Sequence, residues 1–178
     1  EYPARFQLVA AMNPCPCGHL GDSRGRCRCP PERIAAYRSR ISGPLLDRID
    51  LHVEVGRVAL EEIAAIALPE RSAAVAARVA EARLLQRRRQ ARTNARLEGN
   101  DLAVQCCADP AALELLARAM RQLGLSARAY HRVLRVARTI ADLAGRPGVG
   151  VEHVAEAITL RQLDRRSASS EQGGGVSG

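Results

Sequence analysis

The sequence has no lysine, no tryptophan and almost no aromatic side chains. All 27 basic residues are therefore arginines, and Tyr2, Phe6, Tyr37 and Tyr130 are the only aromatics in 178 residues. A core without aromatic bulk has to be built from Ala, Leu, Val and Ile, which suits closely packed helices. No apolar run approaches the ~20 residues that a membrane span needs, and no secretory signal is legible. The expectation is a cytoplasmic protein with no membrane partner. Without a secretory signal, six cysteines argue for reduced thiols or metal ligands rather than disulfides.

What is present is strongly basic. Formal net charge is +8 and the sequence pI is about 9.9, which favours acidic partners such as nucleic acid or nucleotides. For any single arginine, a GC-rich genome that writes Arg for Lys, with the side chain on a solvated helix face, is the favoured reading. The length suits one or two compact domains. The chain opens on Glu1 rather than Met and is expected to belong to something longer.

Periodicity gives a coarse layout. "FQLVAAM" (6–12) reads as a buried strand that presents Asn13 at its end. "PPERIAAYRSRIS" (30–42) reads as a helix with Ile34, Tyr37 and Ile41 at helical spacing. "GPLLDRIDLHVEV" (43–55) reads as a loop and a second strand alternating at Leu51, Val53 and Val55. Helices follow at 60–68 and 71–92, a connection broken by Gly99 and Asn100 at 94–108, and helices at 110–123, 127–145 and 150–164. Asp109 and Ser126 are the expected N-caps and Gly145 the expected stop. The inward stripes are Leu113, Leu116, Ala117 and Met120, then Tyr130, Val133, Ala137, Ile140 and Ala144, then Val151, Val154 and Ile158. "SASSEQGGGVSG" (167–178) reads as a disordered tail. Two strands make no stable sheet alone, so the N-terminal part needs further strands or folds poorly by itself.

One stretch carries distinctive chemistry. "NPCPCGHLGDSRGRCRCPP" separates the pair Cys15 and Cys17 from the pair Cys27 and Cys29 by nine residues, three of them glycines. Two Cys-x-Cys arms on a turn-rich spacer can gather four thiolates into the tetrahedron that structural zinc takes. Arg24, Arg26 and Arg28 would lower thiol pKa values and offset the charge. Free thiols and a redox switch are the other readings, and a structural Zn2+ knuckle is favoured. His19 could be an alternative ligand. His52 reads as an ordinary strand residue, His131 and His153 as helix-surface ones, and Cys106 and Cys107 as free, partly buried thiols.

Three separated segments, "FQLVAAMNPCPCG", "YRSRISGPLLDRIDLHVEV" and "LGLSARAYHRVLRVARTIADLAG", closely resemble the YifB/ComM family of magnesium-chelatase-like AAA+ ATPases, in the family's order from about Phe6 to Asp164. Members of that family drive DNA branch migration in natural transformation. The resemblance implies an α/β remnant of an AAA+ core at 1–56, with the cysteine loop 15–29 as an insertion. A connecting helix at 57–69 and an all-α lid at 70–166 would follow. It further implies a homo-oligomeric ring, expected to be a hexamer, that uses ATP with Mg2+ and acts on DNA. An ATPase subunit of a true magnesium chelatase, remodelling a porphyrin-binding partner, is one alternative. A zinc-stabilised DNA-binding module with no motor role is the other.

The resemblance also assigns residues. Asn13 matches the sensor 1 position, where a neutral amide can orient the attacking water; a plain Asn-Pro turn would also explain it. Arg48 in "GPLLDRIDL" matches the arginine finger. Its flanking carboxylates, Asp47 and Asp50, offer a local ion pair as the other reading, and placement after a Gly-Pro turn, just before a strand, favours the finger. Arg128 matches the sensor 2 arginine, in a first helical turn where the dipole disfavours a cation. Arg132 and Arg135 share its face and could take the role, while Arg138 and Asp142 read as an i,i+4 surface pair. Arg83, Arg87, Arg88, Arg89 and Arg92 form a basic run that serves as supporting phosphate-facing surface or as a solvated helix face. No G-x-x-x-x-G-K-[ST] loop and no Walker B strand occur in these residues. These 178 residues alone are therefore expected to release no phosphate from ATP above the no-protein rate in a coupled assay.

Overall fold

The computed structural model describes residues 6–22, 24–56 and 70–161. The helix expected at 60–68, with the connecting segment 57–69, and the tail 167–178 lie outside them. The chain divides into two compact units, residues 1–42 and 43–178.

In the first unit the cysteine loop leads into α1 (Pro31–Arg38). The loop is a succession of tight turns closed by Gly18 N–H to Cys15 O, Asp22 N–H to His19 O and Gly25 N–H to Asp22 O. Two prolines preset the entry to α1. Its half-buried positions include Ile34 and Tyr37, with Ile41 just beyond, as the spacing predicts. The Arg38 Nε donates to Pro14 O at 3.3 Å and fastens the helix to the start of the loop.

The buried strand expected at 6–12 does not form. These residues are exposed, Val9 by 85%, and have no ladder. In 51–55 the expected faces are reversed: Leu51, Val53 and Val55 are exposed, while His52 is buried and bridges Arg161 through its N–H to Leu160 O at 2.6 Å. Apolar alternation is a request for strand partners. Among the described residues that request is met by one isolated bridge, His52 with Arg161, and in 6–12 by none.

The second unit is helical: α2 (Gly43–Leu46), α3 (Ser72–Gln90), a 3-10 turn at Asn94–Arg96, α4 (Gly99–Cys106), α5 (Pro110–Leu123), α6 (Ala127–Leu143) and α7 (Val151–Thr159). The segment expected as a mere connection folds α4, because Gly99 and Asn100 stand at its start. Leu102 and Cys106, one turn apart, both reach the core. α6 packs against α3, α4 and α7, and α5 against α7. Leu97, Leu102, Leu116, Val133, Val149 and Val154 centre the core.

The stripes are rotated slightly from expectation. α5 buries Ala112, Leu116 and Ala119 and leaves Leu113 exposed; Ala144 and Val151 are also exposed. Ser126 caps α6 by accepting from Ala129 N–H, and Gly145 takes the left-handed conformation just past its end. Asp109 makes no side-chain cap; its N–H donates to Val149 O instead. There a parallel bridge pairs Ala108 with Val149. A Cβ on Gly148 would lie 2.8 Å from Cys107 O, so only glycine allows that approach.

Arg138 and Asp142 are not a surface pair. They are 2.8 Å apart, with Arg138 fully buried. Asp142 also accepts from Arg89 at 2.6 and 3.0 Å and from Asn94 at 2.8 Å. Arg138 donates to the carbonyls of Pro147 and Arg146. His153 is likewise buried rather than superficial, its Nδ1 accepting from Gly150 N–H at 2.9 Å.

Burial pushes the Asp142 carboxyl up, but Arg89, Asn94 and Arg138 outweigh it and hold the group below its ordinary value. Its stabilisation is therefore complete above the unfolded carboxyl pKa of about 3.9 and is lost as pH falls through the lower folded value. Arg138→Ala is expected to cost about 1.5–3 kcal/mol by removing one charge-assisted partner of Asp142, Arg89 and Asn94 remaining, read from denaturant unfolding. Asp142→Asn should both destabilise the chain and flatten the acid limb of its stability profile.

Candidate metal centre and exposed arginines

The tight turns of the first unit bring the two cysteine arms together. Sγ of Cys15 lies 3.3 Å from that of Cys17 and 3.8 Å from that of Cys27, and Cys17 and Cys27 are 3.7 Å apart. With Cys29, all four sulfurs lie within 4.8 Å of one another. A zinc–sulfur bond of about 2.3 Å puts the edge of a tetrahedral site at about 3.8 Å. The donor set therefore fits zinc in kind, number and spacing. Cys15 is buried, Cys27 and Cys29 are half-buried and Cys17 is exposed. His19 is not part of the grouped set.

The thiols are electrostatically unequal. Burial works against ionisation of Cys15, but the Cys17 thiol and the backbone N–H groups of Leu20 and Cys17 bring it down to about 6. Cys17 is also lowered, chiefly by His19 N–H. Cys27 is raised to about 11: Cys29 N–H favours its thiolate, but burial and the Cys17 and Cys15 sulfurs outweigh that. Cys29 is raised mainly by Cys17. Four sulfurs this close can all be thiolates only around a cation. Arg26, one of the arginines expected to offset that charge, is committed to Asp22 at 2.5 Å. Elsewhere, burial pushes the Cys106 thiol up to about 11, and Cys107 is exposed.

Asn13 is exposed beside this loop, its amide carbon 3.8 Å from where a Cβ on Gly18 would stand. Arg48 lies in the second unit, just past α2, and is exposed. Its expected local ion pair does not form. Asp50 is held by Arg132 at 2.6 Å, and Asp47 by Ser126 and Arg161 at 3.2 and 3.5 Å. Arg128 is exposed in the first turn of α6. Neither Arg48 nor Arg128 makes an ion pair with any described residue. Arg132 differs from both: its Nη1 donates to Asp50 and to Arg48 O, each at 2.6 Å. Arg135 donates to His131 O and Ala95 O.

The basic run is split in two. Arg89 turns inward to Asp142, and Arg92 pairs with Asp101. Arg83, Arg87 and Arg88 remain exposed. The carboxylates of the Arg48 loop and their partners were not legible as a unit. Asp50 and Arg132 are 82 positions apart, and no local spacing signals such a pair.

Residues 69–161 match the family described as magnesium chelatase, subunit ChlI C-terminal. Residues 1–63 match the one described as magnesium chelatase, subunit ChlI. The chain is 43% identical over 165 residues to "Uncharacterized protein YifB" of Salmonella typhimurium, covering 92% of this chain and 32% of that protein. It is 41% identical over 166 residues to "Competence protein ComM" of Haemophilus influenzae, covering 93% of this chain and 32% of that protein. A mycobacterial relative, from Mycobacterium tuberculosis, is 41% identical over 169 residues, 93% of this chain and 33% of its own length. The chain thus spans about a third of the length of the curated relatives it matches.

The glycine at the bridge gives a test of this packing. Gly148→Ala is expected to lower the melting temperature, because its Cβ would drive against backbone rather than a yielding side chain. A differential scanning measurement on the chain checks it.

Proposed function

The chain belongs to the magnesium chelatase ChlI family, and from that footing we propose that it is the C-terminal part of a ring-forming AAA+ ATPase that acts on DNA, of the ComM type. Residues 1–56 would end the α/β core and 70–166 would be its helical lid. The observation that carries the reading is the state of Arg48 and Arg128. Both are exposed in one compact unit and without an ion pair among the described residues, although Arg48 is flanked by two carboxylates. Those carboxylates are occupied by Arg132, Arg161 and Ser126. The Arg48 cation is thereby left for an outside anion.

Such cations suit a triphosphate with Mg2+, whose γ-phosphoryl transfer supplies the driving free energy. Arg48 would offer a planar cation across a subunit interface. Arg128 would contact phosphate from the lid, and Asn13 would present a neutral amide. Arg132 is the weaker phosphate candidate, since its guanidinium is already engaged. The proposed assembly is a homo-oligomer, a hexamer in the simplest form, working in the cytoplasm. No helix of the described residues is long and apolar enough to cross a membrane. The net charge of +8 and the exposed Arg83, Arg87 and Arg88 favour a nucleic-acid substrate. The relative named for competence points the same way.

The cysteine cluster is proposed to hold one structural Zn2+, a closed four-thiolate site with no open position for catalysis. About one zinc per chain is expected by elemental analysis. Stripping it with chelator should unfold the first unit while the helical unit keeps its far-UV dichroism. Folded, metal-free protein purified without chelator would refute the site.

For the motor, the test is ATP turnover by the full-length protein with and without forked or single-stranded DNA. Strong stimulation by DNA is expected. Turnover indifferent to DNA would favour a chelatase-type remodeller of a porphyrin-binding protein. Arg48→Ala should lower kcat by about 10³-fold or more, the usual worth of an arginine finger, with assembly unchanged in sedimentation. Wild-type turnover in that variant would remove Arg48 from the role.

A further inference from the structure

The loop that carries Arg48 is tied to the lid by a set of contacts that no short-range sequence pattern displays. Asp47, Arg48 and Ile49 close tight turns onto Gly43, Leu45 and Leu46, so the loop is internally ordered. It is then pinned to α6 and to the end of α7 from several sides. Arg132 holds the Asp50 carboxylate and the Arg48 carbonyl with the same Nη1, each at 2.6 Å. Ser126, the N-cap of α6, donates to Asp47 while accepting from Ala129 N–H. Arg161 donates to Ile49 O at 3.2 Å and approaches Asp47 at 3.5 Å. His52 N–H donates to Leu160 O.

Arg128 and Arg132 are one helical turn apart and therefore share a face of α6. The backbone of Arg48 is thus hung from the same helix face that presents Arg128. We propose that Arg132 and Asp50 are positioning residues that couple the lid arginine to the arginine finger. A displacement of α6 when Arg128 engages a phosphate is passed through Arg132 to the Arg48 loop. A ring in which Arg48 serves the neighbouring subunit would communicate nucleotide state by this route. This rests on the assignment of Arg48 and Arg128 to nucleotide sites made above.

The energetics suit a coupling element rather than a stabilising one. Asp50 is more than half exposed, and pairs of that kind add little to stability. Their loss leaves the fold intact but lets the loop drift. Misplacement of a catalytic group by about 1 Å can cost on the order of 100-fold in rate.

The experiment uses the full-length protein and follows kcat, KM and ring assembly for Arg132→Gln, Arg132→Lys, Asp50→Asn and Arg48→Ala. Arg132→Gln and Asp50→Asn should lower kcat by about 10–100-fold with KM and assembly unchanged, and Arg132→Lys, which keeps a cationic donor for both oxygens, should retain most of it. Wild-type kcat in Arg132→Gln and Asp50→Asn, with Arg48→Ala inactive, would overturn the coupling and leave the finger standing. A raised KM in Arg132→Gln with kcat unchanged would assign Arg132 to the nucleotide itself and overturn the proposal. Wild-type turnover in Arg48→Ala would remove the finger assignment and the coupling together.

Discussion

The helical unit depends on one buried carboxylate. Asp142 collects two guanidinium groups and an amide, from Arg138 one turn behind it, Arg89 near the end of α3 and Asn94 in the turn that follows. Arg138 continues outward to the carbonyls of the loop before α7. Asn94 is in turn held by Gln86, Gln90 and Thr139. A single negative charge thereby fixes the angle at which α3 leaves the bundle, the register of α6 and the path of the 145–150 loop. Burying ions is costly, and the network is tolerable because its oxygens and most of its donors are satisfied. A chain with so few aromatics has little bulk with which to wedge helices apart, and polar geometry does that work instead.

The contrast with the Arg48 loop is instructive. There the contacts of Arg132 run through one nitrogen to an exposed carboxylate and a backbone carbonyl. They define a position at little cost in free energy, whereas the Asp142 network makes its arrangement expensive to leave. One helix, α6, carries both kinds of contact: its N-terminal turns meet the loop and its C-terminal turns hold the buried pair. The candidate phosphate-facing residue Arg128 therefore sits on a lever whose far end is fixed.

Much of this was legible locally. The Ser126 cap, the Gly145 stop, the start of α5 at Pro110 and the half-buried row Ile34, Tyr37 and Ile41 follow from spacing alone. The gathering of Cys15, Cys17, Cys27 and Cys29 follows from turns that glycine permits. What escaped was decided by distant partners. Arg138 and Asp142 have the spacing of a surface pair, and only the burial supplied by α3 and the Asn94 turn makes them a core element. Leu51, Val53 and Val55 alternate as a strand should, but alternation does not say whether a neighbouring strand exists. α4 was hidden because Gly99 and Asn100, which break a helix in its interior, are acceptable at its first turn.

The uncovered apolar segments have a consequence for handling. Residues 6–12 and 51–55 expose Phe6, Leu8, Val9, Leu51, Val53 and Val55 on backbone that forms no strand ladder. Exposed apolar chain without a ladder is a template for intermolecular β-pairing. The native punctuation against it is slight: Asn13-Pro14 ends the first segment, and Glu54 places a charge inside the second. Preparations of these residues by themselves should therefore gelate or precipitate through those two segments before the helical unit melts, so that colloidal lifetime rather than folding free energy governs how long the material keeps.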